Sequence, residues 1–217
     1  MNSKVKEIAK GIKNCIVDFR PLYVMRNYGY LHEYGWWNSY KENASIDSNG
    51  NPIPWLTYPC IELISNRIEE TFDVFEYGCG NSTHWWASRV RSVISCEHDE
   101  LWCSRIGETI PTNVTLIHRE LEHGGEYSKE ILKHQDRFDV IIVDGRDRVK
   151  CARNSAEALK KRGVIIWDNT ERDRYFEGLK YLESLGFKRL DLWGVGPIRT
   201  SKWCTTICYR KDNCLDI

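Results

Sequence analysis

Residues 74–86 read VFEYGCGNSTHWW: an apolar run ends in an acid, and two glycines with one residue between them follow. A strand that stops in a glycine turn and opens a helix is where a Rossmann-type βαβ unit holds its cofactor, and the dinucleotide fingerprint of that turn is G-x-G-x-x-G. Gly78 and Gly80 fit it, but the third place is Thr83, which should keep helix and strand further apart. Glu76 is at odds with a dinucleotide, because a carboxylate at the mouth of the turn repels a diphosphate. A cofactor with a cationic end suits it better. S-adenosylmethionine carries a sulfonium and an ammonium, and its ribose diol calls for an acidic acceptor on the next strand. Glu97, which ends VISCE about twenty residues downstream, stands where such a unit needs that acid.

The chain around this turn alternates short β-branched runs with helical patterns, the mark of an α/β fold built on a doubly wound sheet. Strands are predicted at 73–76, 92–97, 114–118, 139–144, 163–168, 187–193 and 204–209. Helices are predicted at 59–71, 83–90, 100–109, 128–134, 149–161 and 174–185. In such a sheet ligands sit beyond the carboxyl ends of the strands, so the residues ending strands are the ones to interrogate.

The set of strand, E-x-G-x-G, helix, strand and Glu resembles the class I S-adenosylmethionine-dependent methyltransferases over roughly Pro54 to Tyr209. The resemblance implies a Rossmann-like seven-stranded sheet, mostly parallel with an antiparallel last strand. It also implies that Glu76, Gly78 and Gly80 hold the methionine part and that Glu97 holds the ribose; Asn81 and Ser82, which follow the turn, are further cofactor-binding candidates, and His98, near a cofactor-side strand end, is a candidate to touch the adenine. Thr57 and Tyr58, in WLTYPC ahead of the first strand, are further candidates for the cofactor carboxylate. The alternative for Thr57 is a cap on a Pro-flanked helix.

The fourth strand ends as FDVIIVDGRDR and the fifth as GVIIWDNTERDR, which brings Asp144, Asp168 and Asn169 to the cofactor's edge of the sheet. Two carboxylates and an amide oxygen suit a hard divalent cation such as Mg2+ or Mn2+, and a metal would ease deprotonation of an acceptor hydroxyl. The arrangement looks like that of catechol-type O-methyltransferases, which implies Asp144, Asp168 and Asn169 as metal ligands. Gly145-Arg146 departs from the bulkier residues of that pattern, and no catechol-binding segment is recognisable. Without a metal, Asp144 would be a general base that also touches the cofactor, with Asp168 and Asn169 as a hydrogen-bonding pair. The paired prolines of DNA amino-methyltransferases and the paired-glutamate hairpin of arginine methyltransferases are both missing, which leaves an oxygen acceptor.

Two regions are placed to cover the acceptor. Arg20–Tyr40 is dense in Tyr and Trp and reads either as a carbohydrate platform or as a cap packed on the body. Thr170–Tyr175 and Gly194–Trp203 are loops near the carboxyl edge, and Arg146, Arg148, Arg172, Arg174 and Arg199 suit an anionic group such as a uronate or a sugar phosphate. The phrases EYGCGNSTHWWASRV, SCEHD, WDNTERDRY and GPIRTSKWCTTICYR are similar to small bacterial and viral methyltransferases of glycan synthesis. That implies a sugar hydroxyl of a glycan or its precursor as acceptor. A phenolic acceptor and a catalytically silent binding module are the rival readings.

Composition bounds the rest. Lys plus Arg and Asp plus Glu each total 31, so no overall field recruits nucleic acid or an anionic membrane. Nine scattered cysteines without a C-x-x-C pair read as free thiols in a reducing cytoplasm. No apolar run is long enough for stable membrane insertion. Val5, Ile8, Ala9, Ile12 and Ile16 fall at helical spacing and predict a helix docked on the body, with attachment to a membrane surface as the alternative. The expected organisation is an N-terminal helix and aromatic cap over 1–53 and a cofactor-binding domain over 54–217, separated by the turn-rich KENASIDSNGNPIP. Oligomeric state is left open.

Overall fold

The computed structural model describes residues 3–217, and along the first helix the side chains of residues 3, 5, 8, 9 and 12–18 are not described. The predicted docking face of Val5, Ile8, Ala9, Ile12 and Ile16 lies outside the described residues. The chain begins with α1 (Ser3–Tyr28), α2 (Tyr30–Glu33), α3 (Trp36–Glu42) and α4 (Tyr58–Ser65). Strands and helices then alternate as β1 (Asp73–Tyr77), α5 (Asn81–Ala87), β2 (Ser92–Glu97), α6 (Glu100–Gly107), β3 (Val114–His118), α7 (Glu126–Lys129), β4 (Phe138–Val143), α8 (Arg148–Ala158), β5 (Leu159–Asp168) and α9 (Phe176–Ser184), before β6 (Lys188–Gly194) and β7 (Trp203–Tyr209).

The seven strands order as β3-β2-β1-β4-β5-β7-β6. β1 to β5 pair in parallel, while β7 runs antiparallel to both β5 and β6. This is the doubly wound sheet that the alternating pattern predicts, with the reversed last strand that the resemblance implies. Alternate residues of each central strand feed opposite cores, as the two-residue side-chain period demands. Val74, Val140, Ile142, Val164 and Ile166 pack with Ile61, Ile64 and Trp86 from α4 and α5. Phe75, Ile141, Val143, Ile165 and Trp167 pack on the other face with Tyr127, Ile131, Cys151 and Leu179. Strand order reverses between β1 and β4, so their carboxyl ends open the crevice where this architecture binds ligands.

Three segments depart most from the sequence reading. α4 stops at Ser65 rather than running to Thr71, because Ser65 Oγ, Asn66 Nδ2 and Arg67 Nη1 donate to the carbonyls of Ile61, Glu62 and Leu63 and so satisfy the helix end early. β5 begins at Leu159, inside the segment predicted as helix: Phe138 pairs with Leu159 and Val140 with Val164, so the intervening residues bulge. The segment predicted at 128–134 divides into α7 and a single 3-10 turn over Glu130–Lys133.

No residue of the aromatic stretch 20–40 lines the crevice; part of it packs on the body, while Tyr23, Tyr28 and Tyr40 stay exposed. Tyr34 lies tilted against Tyr58 at 4.7 Å and donates to Glu62 Oε2, while Trp36 is buried and its Nε1 donates to the Arg199 carbonyl at 2.9 Å. The loop after it is as turn-rich as predicted: Asp47 Oδ1 accepts from the amides of Asn49 and Asn51, and Ile46 bridges Pro52. Among the described residues all eight cysteines are free, and no helix is long and apolar enough to cross a membrane.

Candidate active site

A cleft of about 590 Å³ lies over the carboxyl ends of β1, β2, β4 and β5, within the range of small-molecule sites. One half is built on the glycine turn. Gly78 has φ +105°, a backbone state that side chains with a Cβ rarely adopt, and a Cβ there would point at the Gly145 backbone 3.6 Å away. Gly80 follows with its amide donating to Thr83 Oγ1 at 3.0 Å. Thr83 thus has a use that a third glycine could not supply. Its hydroxyl also donates to Glu76 Oε2 at 2.6 Å, and Ser95 Oγ donates to the same oxygen at 3.1 Å.

Glu76 is only 2% exposed, yet it lines the cleft. Burial is the main reason its pKa is pushed up, to about 7; the hydroxyls of Ser82, Thr83 and Ser95 pull it back in part, and Asp144 pushes it further. Among the described residues no Lys, Arg or His forms an ion pair with it. Its hydrogen-bond partners among the described residues are hydroxyls, so its charge when ionised is left without a neighbouring cation there.

Glu97 ends β2 with its carboxylate locked by backbone amides. Oε1 accepts from His98 and Asp99 at 2.7 and 2.9 Å, and Oε2 accepts from Cys79 at 3.1 Å. A carboxylate offers about four lone-pair sites, so one on Oε2 is left for a hydroxyl. Trp102, on the first turn of α6, closes this half: its Nε1 donates to the Cys79 carbonyl at 2.8 Å and its ring faces Gly80. The signal for Trp102 in the sequence is its place five residues past the acid that ends the second strand.

Asp144, Gly145, Asp168 and Asn169 line the other half with Arg146, Arg148, Arg172, Arg199, Trp55 and Trp203. Gly145 is required because a Cβ would meet Tyr127 Oη at 1.9 Å and the Tyr77 carbonyl at 3.0 Å, which accounts for the departure from bulkier residues here. Asp168 is buried, and its Oδ1 accepts from Trp203 Nε1 at 2.8 Å and Thr205 Oγ1 at 2.6 Å. Burial, and then the neighbouring Asp144 carboxylate, push its pKa up to about 7. Asp144 is only half-buried; desolvation raises it and Arg148 and Arg172 oppose the rise. Of the two acids Asp144 is the one open to the cleft.

Two of the side-chain oxygens assigned to a metal, those of Asp144 and Asn169, face Arg148 instead. Nη2 donates to the Asp144 carbonyl at 2.5 Å and faces Asp144 Oδ1 at 2.9 Å. Nη1 donates to the Asp168 carbonyl at 2.6 Å and to Asn169 Oδ1 at 3.2 Å, and Nε donates to the Gly145 carbonyl at 2.9 Å. Among the described residues no three His, Cys, Asp or Glu side chains gather as a metal site. Asp144, Asp168 and Asn169 do not present an open oxygen set that fits Mg2+ or Mn2+: the Arg148 guanidinium engages Asp144 Oδ1 and Asn169 Oδ1 and lies 4.0 Å from Asp168 Oδ2, and Asp168 Oδ1 is bonded by Trp203 and Thr205.

Other expectations are corrected by position. Thr57 is fully buried, its hydroxyl donating to the Leu192 carbonyl at 3.0 Å, and it starts α4 without a side-chain cap bond. Tyr58 packs among Tyr30 and Tyr34, and Asn81 Nδ2 donates to the Ser45 carbonyl at 2.8 Å. None of the three lines the cleft, whereas Ser82 and His98 do. Arg174 turns away over the Tyr175 ring.

No family model and no curated protein matches the chain. Solved structures do share its fold. Precorrin-6y C5,15-methyltransferase from Geobacter metallireducens superposes with a TM-score of 0.56 at 12% identity, over 70% of this chain and 87% of that one. An S-adenosylmethionine-dependent O-methyltransferase from Thermotoga maritima gives 0.51 at 16%, over 73% and 68%. Precorrin 8w decarboxylase from Methanobacterium thermoautotrophicum gives 0.50 at 23%, over 70% and 88%. The fold is the Rossmann-like methyltransferase fold.

Proposed function

We propose that the chain is an S-adenosylmethionine-dependent O-methyltransferase whose acceptor is a hydroxyl on an anionic sugar of a glycan or glycan precursor. The observation that carries the cofactor is Glu76, a buried acid facing the cleft with no cation of its own. Gly78 lets the backbone pass close, Glu97 keeps a lone pair for a ribose hydroxyl, and Trp102 offers an aromatic wall. When bound, S-adenosylmethionine supplies an electrophilic methyl group on a cationic sulfur that leaves as a neutral thioether.

The chain's own task is to align the acceptor and take its proton. Asp144 opens on the cleft beside the turn and is suited to accept that proton as the new carbon–oxygen bond forms. Arg146, Arg172 and Arg199 surround the acceptor half, and among the described residues the only side-chain carboxylate near them in an ion pair is Glu171, 3.7 Å from Arg172 Nε. Three guanidiniums with so little to neutralise them favour a carboxylate or phosphate on the acceptor, and Trp55 adds a ring for a sugar's C–H face.

The test is methyl transfer from labelled cofactor across a panel of uronate oligosaccharides, sugar phosphates, neutral sugars and catechols. Label is expected on a hydroxyl of an acidic sugar, and the double variant Arg172→Ala/Arg199→Ala should raise KM for that acceptor by roughly tenfold or more, the worth of one lost charge-assisted contact, while cofactor binding stays intact. Transfer to catechol alone would reject the sugar. Failure to bind S-adenosylhomocysteine would reject the cofactor itself.

A further inference from the structure

Arg148 stands four residues after Asp144, on the first turn of α8, and its guanidinium turns back over the loop between β4 and α8. A guanidinium has five N–H groups in a rigid fork; here four hydrogen bonds run to the carbonyls of Asp144, Gly145 and Asp168 and to the side-chain oxygen of Asn169, and Asp144 Oδ1 lies 2.9 Å from Nη2 as an ion pair. The side chain is about nine-tenths buried, and Asp168 Oδ2 lies 4.0 Å from Nη1. Asp144 Oδ1 and Asn169 Oδ1 are two of the side-chain oxygens that a divalent ion at the ends of β4 and β5 would need, and Asp168 Oδ2 lies within reach of the same guanidinium. An ion entering among them would have to displace a cation held by four hydrogen bonds and an ion pair, or sit within a few ångströms of it, and like charges at that range repel strongly in a half-dry cleft.

We propose that Arg148 is the resident cation of this site: it closes the Asp144, Asp168 and Asn169 oxygens to divalent metals and holds Asp144 in place with one carboxylate oxygen turned to the acceptor. It is a positioning residue, acting through Asp144. The placement of the cation stands without the methyl-transfer reading; only the task given to Asp144 rests on that reading.

Mn2+ titrated into the wild-type protein and followed by electron paramagnetic resonance is expected to reveal no site tighter than about the millimolar range typical of weak carboxylate sites. Arg148→Ala should gain one, because it leaves the same oxygens facing a vacated volume. A tight site in the wild type, or a folded Arg148→Ala that binds Mn2+ no better, overturns the proposal. Arg148→Lys covers the case in which the alanine variant does not fold. Lysine keeps the charge but not the fork, so Mn2+ should remain excluded while kcat falls roughly a hundredfold through misplacement of Asp144 and KM for the cofactor holds. Wild-type kcat in Arg148→Lys would also overturn it. If no acceptor is ever methylated, the functional reading fails, and the Mn2+ titration still decides the cation.

Discussion

Burial outweighs the hydroxyls that bond Glu76 and pushes its pKa up to about 7, so below that pH it carries a proton in the ligand-free protein. A ligand that places a positive charge beside it favours the carboxylate and expels that proton. Affinity for S-adenosylmethionine is therefore expected to be flat above pH 7 and to weaken by up to about tenfold per unit as pH falls below it. Calorimetry in buffers of different ionisation enthalpy should detect proton release at pH 6 and little at pH 8. Glu76→Gln keeps the size and the hydroxyl contacts but has no charge to offer. It should bind roughly ten- to a hundredfold more weakly at pH 8 and lose the pH dependence. A glutamine variant that binds like the wild type would remove Glu76 from the cofactor site. The sequence pointed to Glu76 because the acid and the two glycines occupy adjoining positions on one strand and turn. It could not point to Thr83 as the anchor, since a threonine in the third glycine place reads as a defect until its hydroxyl is seen bridging the Gly80 amide and the carboxylate.

The elements whose periods are strongest, β1 to β5 and the helices between them, were legible because buried parallel strands read as continuous apolar runs. What was not legible depends on contacts between elements. Lys160–Gly163 follows α8 without a break in polarity, and only the pairing of Leu159 with Phe138 turns it into strand. Gly163 permits that turn: a Cβ would lie 2.6 Å from the Leu159 side chain and 2.9 Å from the Phe138 carbonyl. Gly163→Ala should cost about 1–3 kcal/mol by overpacking. Leu159→Ala should recover part of that cost, so a double-mutant cycle by urea unfolding is expected to give a coupling of at least about 0.5 kcal/mol. Purely additive effects would mean that the Phe138 carbonyl alone sets the penalty. The same dependence on neighbours hid Arg148. In VDGRDR it reads as one more surface arginine, and it reaches inward because Asp147 adopts φ +44° at the mouth of α8, held by the Gly124 amide at 2.7 Å and by His123 at 2.9 Å.

Across the whole molecule the two edges of the sheet respond to pH in opposite directions. At the amino-terminal edge Asp73 is bonded by Arg91 and Ser92 and faces Lys160; these outweigh its burial and hold its pKa down to about 2. A depressed acid contributes stability that is present above its ordinary range and lost as pH falls toward 2. At the carboxyl edge Glu76 and Asp168 are both pushed up to about 7 by burial. A raised acid contributes stability that is full below its unfolded value and lost as pH rises through the folded one. The ligand-free protein should thus be most stable at about pH 4 and lose melting temperature between about pH 4 and about pH 7, with each buried acid adding up to about 1.4 kcal/mol per pH unit to the slope. Glu76→Gln and Asp168→Asn should each make that slope shallower, the second less cleanly because Trp203 and Thr205 also bond Asp168. Saturating S-adenosylmethionine should flatten it most, since a cation over Glu76 stabilises the form that the empty cleft penalises. Thermal melts across pH 4–9 with and without cofactor separate these cases. A melting temperature that rises from about pH 4 to about pH 7 in the ligand-free protein would show that the acids at the carboxyl edge are ionised at no cost, and the cleft would then have no stored preference for a cationic ligand.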